Sequence, residues 1–239
     1  MNEIPSIADR LNVAGLPADD LLARRAALPG PVQQLHHRIL ESIATAGTPP
    51  TGAQLTGWAG ELGIELSPAL RALADAELIF ADTERTTVTG GVPFAANNVS
   101  AHRVQIADGP AVAANCAVDA LGIPAMLGRD AEIHSTDPHD GQPVVATSRE
   151  GTWQWQPESA VVFVGSNGSS GPLTQSCCPV INFFTDEGNA RAYQRQHHLD
   201  GDVLTMPEAA EAGSLVFGDL LTGGKAGASR PAPEATEIR

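Results

Sequence analysis

The hydrophobic pattern of the chain changes its period near residue 98, and this change constrains the fold more than any other feature. Over residues 33–82, apolar residues recur at the spacing that places them on one face of a helix. Beyond residue 98, short stretches alternate between apolar and polar residues, as half-buried strands do. The sequence therefore predicts an α+β fold in which a helical block precedes a sheet domain.

The helical half predicts three helices. The first ends at Gly47, the second ends at Gly63, and the third runs over 68–82. A candidate β-wing follows at 86–94. Three helices and a wing are typical of a winged-helix-like block, which we bound at residues 33–97.

Two interpretations of this block are DNA binding and simple packing. The third helix carries Arg71, but it also carries Asp75 and Glu77 and lacks the row of basic residues that phosphate contacts require. The formal net charge of −14 also repels a nucleic-acid backbone. The sequence favours a packing module and predicts no nucleic-acid partner.

The second half, residues 98–223, predicts a mixed or antiparallel sheet with flanking helices, because strands and helices mix without a strict βαβ rhythm. The predicted strands lie at 98–107, 131–137, 142–148, 152–156, 159–165 and 178–184. The predicted helices lie at 110–124, 189–197 and 207–221.

The two ends of the chain carry weaker patterns. Prolines interrupt residues 1–32, which we interpret as a loosely attached N-terminal extension in which residues 19–28 could form a short helix. Residues 224–239 are small, polar and proline-containing, which predicts a disordered tail. The chain shows no signal-peptide pattern and no apolar run long enough to span a bilayer, so we expect a cytoplasmic protein with no membrane partner.

The chain has three cysteines, Cys116, Cys177 and Cys178. Neighbouring Cα atoms lie about 3.8 Å apart, below the usual disulfide range of about 4.4–6.8 Å, so a bond between Cys177 and Cys178 would be strained. An odd count without a signal peptide also argues against a disulfide framework. We expect reduced thiols, and their spacing matches no zinc signature.

Cys116 and Asp119 are the first candidates for chemistry. In a helix they stand at i and i+3 and share a face. Burial disfavours charge on both groups and each anion raises the pKa of the other, so such a pair indicates a shared proton or a bound cation. The alternative is structural: Cys116 is a small buried hydrophobe and Asp119 a surface helix residue.

Cys177 and Cys178 are the second candidates. Side chains alternate between the two faces of a strand, so only one of the two thiols can face a given pocket if this segment is extended.

Two blocks of the sequence resemble the organomercurial lyase family, also called the alkylmercury lyase family. The first block, at 116–133, follows the pattern Cys-Ala-x-Asp-x-Leu, then Pro-Ala, then Gly-Arg. The second block lies at 175–184, where this chain reads Gln-Ser-Cys-Cys and ends in Phe-Phe. The family pattern here is Gln-Ser-aromatic-Cys, followed five residues later by Phe-Phe. Aligning Phe183 and Phe184 with that pair places the family's essential cysteine on Cys178, and Cys177 then occupies the aromatic position.

The resemblance implies protonolysis of a carbon–mercury bond, with Cys116, Asp119 and Cys178 as the catalytic residues and as ligands of the Hg(II) product. It implies no organic cofactor, a need for external low-molecular-weight thiols, and transfer of the ion to mercuric reductase. Two positions depart from the family: Asn115 replaces a frequent aromatic residue, and Pro179 follows the second cysteine. These departures bear on the range of organic groups accepted.

Two other functions stay open on the sequence alone. The scaffold could serve another thiol-dependent reaction, or the chain could be a thiol-based sensor of mercury or copper(I). Of the remaining candidates, Cys177 is either a spare thiol that relays mercury or, as we expect, a residue that faces the core. We expect His197 and His198 on a helix surface.

Overall fold

The structure, a computed structural model, describes residues 5–221 of the chain. Helices and antiparallel sheets combine in one chain, which is the mixed α and β fold that the change of period predicts. The predicted disordered tail at 224–239 lies outside the described residues.

The helical half begins with the three predicted helices. They are α3 (Gly30–Ala46), α4 (Gly52–Leu62) and α5 (Leu66–Asp75). Gly47 and Gly63 end α3 and α4 in the left-handed conformation that glycine adopts without strain. Thr51 begins α4 with a capping box, in which its side chain and that of Gln54 each accept the other's backbone N–H. Such a cap stabilises a helix by about 1 kcal/mol.

The third helix is shorter than predicted. It ends at Asp75, and Glu77 then adopts a left-handed φ of 56° that turns the chain out of the helix. The strand β1 (Ile79–Ala81) follows and pairs antiparallel with β2 (Val88–Gly91). The prediction of a helix to residue 82 was wrong because a three-residue strand is too short to show its own period.

The N-terminal extension forms two helices, α1 (Ile7–Val13) and α2 (Asp20–Ala26). Ser6 begins α1 with a capping box. Leu11 is fully buried and Leu21 nearly so, and both belong to the main hydrophobic core. The prediction of a loosely attached extension was therefore wrong.

Arg10 fixes this extension to the far end of the chain. Its guanidinium donates to the carboxylate of Asp202 at 2.9 Å, to that of Glu208 at 2.7 Å and to the carbonyl of Val203 at 2.7 Å. Hydrogen bonds to charged groups of this kind contribute about 1.5–3 kcal/mol each when they are partly buried. Residues 7–26 thus behave as part of the folded domain.

The larger sheet of the second half contains five antiparallel strands in the order β4-β3-β5-β6-β7. They are β3 (His102–Ile106), β4 (Ala111–Ala114), β5 (Ala131–Thr136), β6 (Pro143–Arg149) and β7 (Thr152–Gln156). Side chains along β3 and β5 alternate between buried and exposed positions, so the predicted period of two is confirmed.

The smaller sheet contains three antiparallel strands in the order β10-β8-β9. They are β8 (Val161–Ser166), β9 (Asn182–Phe184) and β10 (Asp200–Thr205). Three helices accompany them: α7 (Leu173–Ser176), α8 (Glu187–Gln196) and α9 (Met206–Phe217). The predicted helices near 189–197 and 207–221 correspond to α8 and α9.

The helix α6 (Ala117–Leu127) lies at the centre of the second half and is buried along almost its whole length. It crosses α9 at Gly122 and Gly213. A Cβ atom added to Gly122 would lie 2.9 Å from the carbonyl oxygen of Gly213 and 2.3 Å from the ring of Phe217, so only glycine permits this approach.

The prediction of one helix over 110–124 was wrong at both ends. Its first part is the strand β4, because small apolar residues such as alanine and valine suit either structure. Pro124 lies inside α6 and does not end it. A proline within a helix costs about 3 kcal/mol, and the burial of α6 on nearly all sides offsets that cost.

Membrane crossing requires a long apolar helix. Within residues 5–221, none of the helices combines the length and the apolar character that a bilayer span needs.

Candidate active site

Cys116 stands at the junction of β4 and α6. Its backbone is extended and it is the N-cap residue of α6, so its Sγ atom accepts a hydrogen bond from the backbone N–H of Asp119 at 3.4 Å. The partial positive charge at a helix N-terminus stabilises a thiolate. The side chains of Cys116 and Asp119 meet as predicted, although Cys116 precedes the helix.

Asp119 lies in the first turn of α6 and only 4% of its surface is exposed. Burial raises the pKa of its carboxyl to about 7, while hydrogen bonds from Cys116 and Asn115 oppose that rise. Asn115 also donates to the carbonyl of Pro93 at 3.1 Å, which fixes its amide beside the site. Near neutral pH, the Asp119 carboxyl can therefore both hold and release a proton.

Cys178 reaches the site from a turn after α7, so the strand predicted at 178–184 is confirmed only over β9 and was wrong at Cys178. The backbone N–H groups of Cys177 and Cys178 both donate to the carbonyl of Leu173, each at 2.9 Å. The chain then turns again before β9 begins at Asn182. The tight turn still directs the two neighbouring thiols to different surroundings.

The three candidate groups converge. The Cys178 thiol donates to Oδ2 of Asp119 at 3.9 Å. The Sγ atoms of both cysteines and a carboxylate oxygen of Asp119 all lie within 4.8 Å of one another. Cys116 and Cys178, which lie 62 positions apart in the sequence, thus meet at the N-terminus of α6.

The electrostatics of the cluster favour protonated groups in the absence of a cation. Burial raises the pKa of the Cys116 thiol well above its usual value, and the Cys178 thiol and the Asp119 carboxylate raise it further. Three acidic groups cannot all be ionised in one buried space. A soft cation that binds the sulfurs would therefore displace their protons.

The cluster opens into a narrow cavity of about 50 Å³. Apolar side chains from α6, α7, α9 and the N-terminal extension form most of its wall. They include Leu11, Leu16, Leu21, Val118, Leu173 and Phe217. Thiol and carboxyl groups thus face a small apolar space.

Cys177 lies outside the cluster. It is buried, and its Sγ atom contacts the carbonyl oxygens of Gly15 at 3.8 Å and Ala14 at 4.0 Å in the N-terminal extension. Burial raises the pKa of its thiol. The expectation that Cys177 faces the core is confirmed.

The histidines do not join the site. His197 and His198 are exposed as expected, but they follow the last residue of α8, Gln196, and do not lie on the helix itself. His102 is buried, but its Nδ1 atom pairs with the Ser135 hydroxyl at 2.8 Å and its ring packs edge-on against Phe183. None of the histidines of the described chain lines the cavity.

Sequence reasoning missed the cavity residues of the N-terminal extension. Leu11, Leu16 and Leu21 carry no chemical signal, and only long-range packing places them beside the thiols. The Ser6 and Asp9 capping box is a local signal that could have indicated α1, whereas the short helix predicted at 19–28 corresponds to α2.

Known proteins are similar to this chain in sequence and in fold. The sequence model of the alkylmercury lyase family matches residues 96–218. An alkylmercury lyase from Streptomyces lividans is 27% identical over 187 residues, which cover 78% of this chain and 83% of that protein. One from Staphylococcus epidermidis is 26% identical over 177 residues, with 74% and 78% covered.

A solved structure described as the mercury-bound form of MerB2 has the same fold. It superimposes with a TM-score of 0.69 and 21% sequence identity, and the match covers 85% of this chain and 98% of that one. The family match spans more than half of the chain and includes all three clustered side chains. The chain belongs to the alkylmercury lyase family.

Proposed function

We propose that this protein is an organomercurial lyase, which cleaves carbon–mercury bonds by protonolysis and yields a hydrocarbon and Hg(II). The observation that carries the proposal is the convergence of two thiols and one carboxyl group within 4.8 Å beside an apolar cavity. Thiolates are soft ligands and prefer soft, polarizable metals. Organic mercury cations are soft, and their organic groups are apolar.

The first step is ligand exchange at mercury. An organomercurial arrives bound to an external thiolate, and one enzyme thiol replaces that thiolate, which leaves with the proton. Cys178 is suited to this step because it is only partly buried, whereas Cys116 is 2% exposed. The organic group then occupies the apolar cavity.

The second step passes a proton to Asp119. The remaining thiol, that of Cys116, gives its proton to the carboxylate and coordinates mercury as a thiolate. The helix N-terminus stabilises this thiolate through the N–H of Asp119. Two sulfurs now donate electron density to the metal and to the carbon bound to it.

The third step breaks the carbon–mercury bond. The Asp119 carboxylic acid donates its proton to the carbon, which uses the electron pair of that bond to form the new C–H bond. The hydrocarbon leaves, Asp119 is again a carboxylate, and Hg(II) stays with both sulfurs. A pKa near 7 suits Asp119 to this exchange, since it can accept and donate at neutral pH.

Product release needs outside help, because two thiolates in a buried site hold Hg(II) tightly. We infer that low-molecular-weight thiols remove the ion and that mercuric reductase is its acceptor. The proposed reaction uses only thiols and a carboxyl group, so it requires no organic cofactor.

The test is direct. The protein is incubated with methylmercury and excess thiol, and methane is measured by gas chromatography against a reaction with thiol alone. We expect methane in proportion to enzyme, and none from Cys116→Ser. Absence of hydrocarbon above the thiol control would refute the proposal.

Two finer features belong to the same proposal. The helices α3 to α5 with the hairpin β1–β2 support a winged-helix-like packing module, and the −14 charge argues against a nucleic-acid partner. All three cysteines are free. A reducing compartment such as the cytoplasm would keep these thiols available.

The alternative functions are not favoured. A different thiol-dependent reaction would rest on Asn115 alone, and Asn115 only adds a hydrogen bond beside an intact cluster. A metal sensor would have to bind DNA with a strongly acidic protein. The family match and the geometry both support the lyase.

A further inference from the structure

We propose that the N-terminal extension sets the size of the organic group that the enzyme accepts, with Leu16 and Leu21 as the residues that contact it. This inference rests on the proposed lyase function. It concerns a different part of the chain from the reacting groups and assigns a role to residues outside the matched family region, which begins at residue 96.

The cavity is lined by the reactive groups and by apolar side chains of the N-terminal extension. Cys116, Asp119 and Cys178 supply its reactive groups. Leu11, Leu16 and Leu21 of the extension line the same space. When mercury is held by the sulfurs, we expect the organic group on it to lie against the apolar side chains of this cavity, because the cavity adjoins the sulfurs and burial of apolar surface is favourable.

The cavity is small. Its volume is about 50 Å³. An apolar cavity that binds benzene in another protein measures about 150 Å³. The space here therefore suits a small alkyl group, and a larger group must displace part of the wall.

The N-terminal extension forms the wall that limits the size of the organic group. Val118 and Phe217 belong to α6 and α9, which approach each other closely where they cross at Gly122. Leu16 lies in the loop between α1 and α2 and is only partly buried. Leu21, on α2, is 5% exposed. Shortening either leucine enlarges the cavity without touching a reacting group.

Contacts of Arg24 with Glu77 and Ala76 hold the extension in place as a wall of the cavity. Arg24 of α2 forms ion pairs with Asp20 and Glu77, each at 3.0 Å, and also donates to the carbonyl of Ala76 at 3.1 Å. Asp20, Arg24 and Glu77 all line the cavity. These three side chains form a charged rim. Because contact with charged groups is unfavourable for an apolar group, we expect the organic group to stay in the leucine-lined interior of the cavity.

The test compares two substrates that contain the same kind of bond. Methylmercury and n-butylmercury are mixed at equal low concentrations with excess thiol, and methane and butane are measured together. Their ratio reports the ratio of kcat/KM values. One methylene group in an apolar pocket changes such a ratio by about 10–200-fold. We expect Leu21→Ala, and to a smaller extent Leu16→Ala, to raise the butane-to-methane ratio at least about tenfold.

The matched control is Leu22→Ala. Leu22 neighbours Leu21 on the same helix but lines a separate surface groove with Arg25 and Gln33, so its removal should leave the ratio unchanged. Circular dichroism and stoichiometric Hg(II) binding confirm that each variant is folded. An unchanged ratio in folded Leu16→Ala and Leu21→Ala, or an equal shift in Leu22→Ala, would overturn the inference. No hydrocarbon from the unmodified protein would instead overturn the lyase function on which it rests.

Discussion

The cavity has two unlike walls. One wall carries Cys116, Asp119 and Cys178, which together can bind a soft metal and move a proton. The other wall carries Leu16 and Leu21, which have no reactive atoms. The comparison teaches that the type of reaction and the range of substrates depend on different segments of the chain, so that each can be altered while the other is kept.

The largest effect should follow loss of a sulfur from the reactive wall. A serine hydroxyl is a hard, weak ligand for mercury, so Cys116→Ser and Cys178→Ser should each lower methane release at least about a thousandfold. Circular dichroism should show an unchanged fold. Substantial turnover by either variant would mean that one sulfur is enough.

The next effect concerns the proton. Asp119→Asn keeps the shape of the side chain but cannot supply an acid, so turnover should fall by about 10²–10⁴-fold. Hg(II) should still bind one ion per protein, as measured by native mass spectrometry. Loss of mercury binding along with turnover would instead make Asp119 chiefly a ligand.

The same substitution should change stability in a pH-dependent way. Folding raises the pKa of Asp119 from near 4 to about 7, so the penalty for burying its charge is absent below pH 4, grows as the pH rises, and is complete above pH 7. Asp119→Asn should therefore raise the Tm at pH 8 and have no effect at pH 4. A gain of 1 kcal/mol corresponds to roughly 2–4 °C.

The matched control for that measurement is Asp108→Asn, in an exposed turn where asparagine tolerates the left-handed φ of 52°. It should leave the Tm unchanged at both pH values. An equal gain at pH 4 and pH 8 in Asp119→Asn would show that burial of charge is not its cause.

A smaller effect should follow when the second wall is loosened. Arg10→Gln removes both ion pairs that join the extension to Asp202 and Glu208. Because Cys177 lies beneath Ala14 and Gly15, its alkylation should become several-fold faster, as measured by peptide mass spectrometry. Arg38→Gln, which breaks a surface ion pair in the helical block, should leave that rate unchanged.

The smallest effect should come from Cys177 itself. Cys177→Ser should keep activity within about twofold, since the side chain faces away from the cavity and a serine hydroxyl can donate to the same carbonyl oxygens of Ala14 and Gly15. If Cys177→Ser is inactive while Cys178→Ser works, the two cysteines have been assigned in the wrong order.

The two walls also differ in how far the sequence predicts them. Cys116 and Asp119 stand three residues apart, and they meet because Cys116 is the N-cap of the helix whose first turn carries Asp119. Cys178 was placed by its distance from Phe183 and Phe184 in a family motif, and the tight turn that delivers it has no signature of its own. Four of the five strands of the larger sheet, all except β4, were found because their side chains alternate between more and less exposed positions.

The rest escaped prediction for physical reasons. The strand Ala111–Ala114 consists of small residues that suit helix and strand equally. Leu16 and Leu21 became part of the cavity only through contacts with residues far along the chain, and such contacts leave no local period. The domain boundaries at 32, 97 and 223 stay a prediction.

The contact between Gly122 and Gly213 limits how this enzyme can be evolved in the laboratory. A side chain at 122 would collide with Phe217 and the carbonyl of Gly213, so we expect it to push the central helix away from its neighbour and to shift the sulfur at its N-terminus. A misplacement of about 1 Å can reduce a rate about a hundredfold. A randomised library at 122 should return glycine almost alone, whereas a library at the partly buried position 16 should tolerate many residues and one at the buried position 21 other apolar residues, and both should yield variants with new substrate preferences.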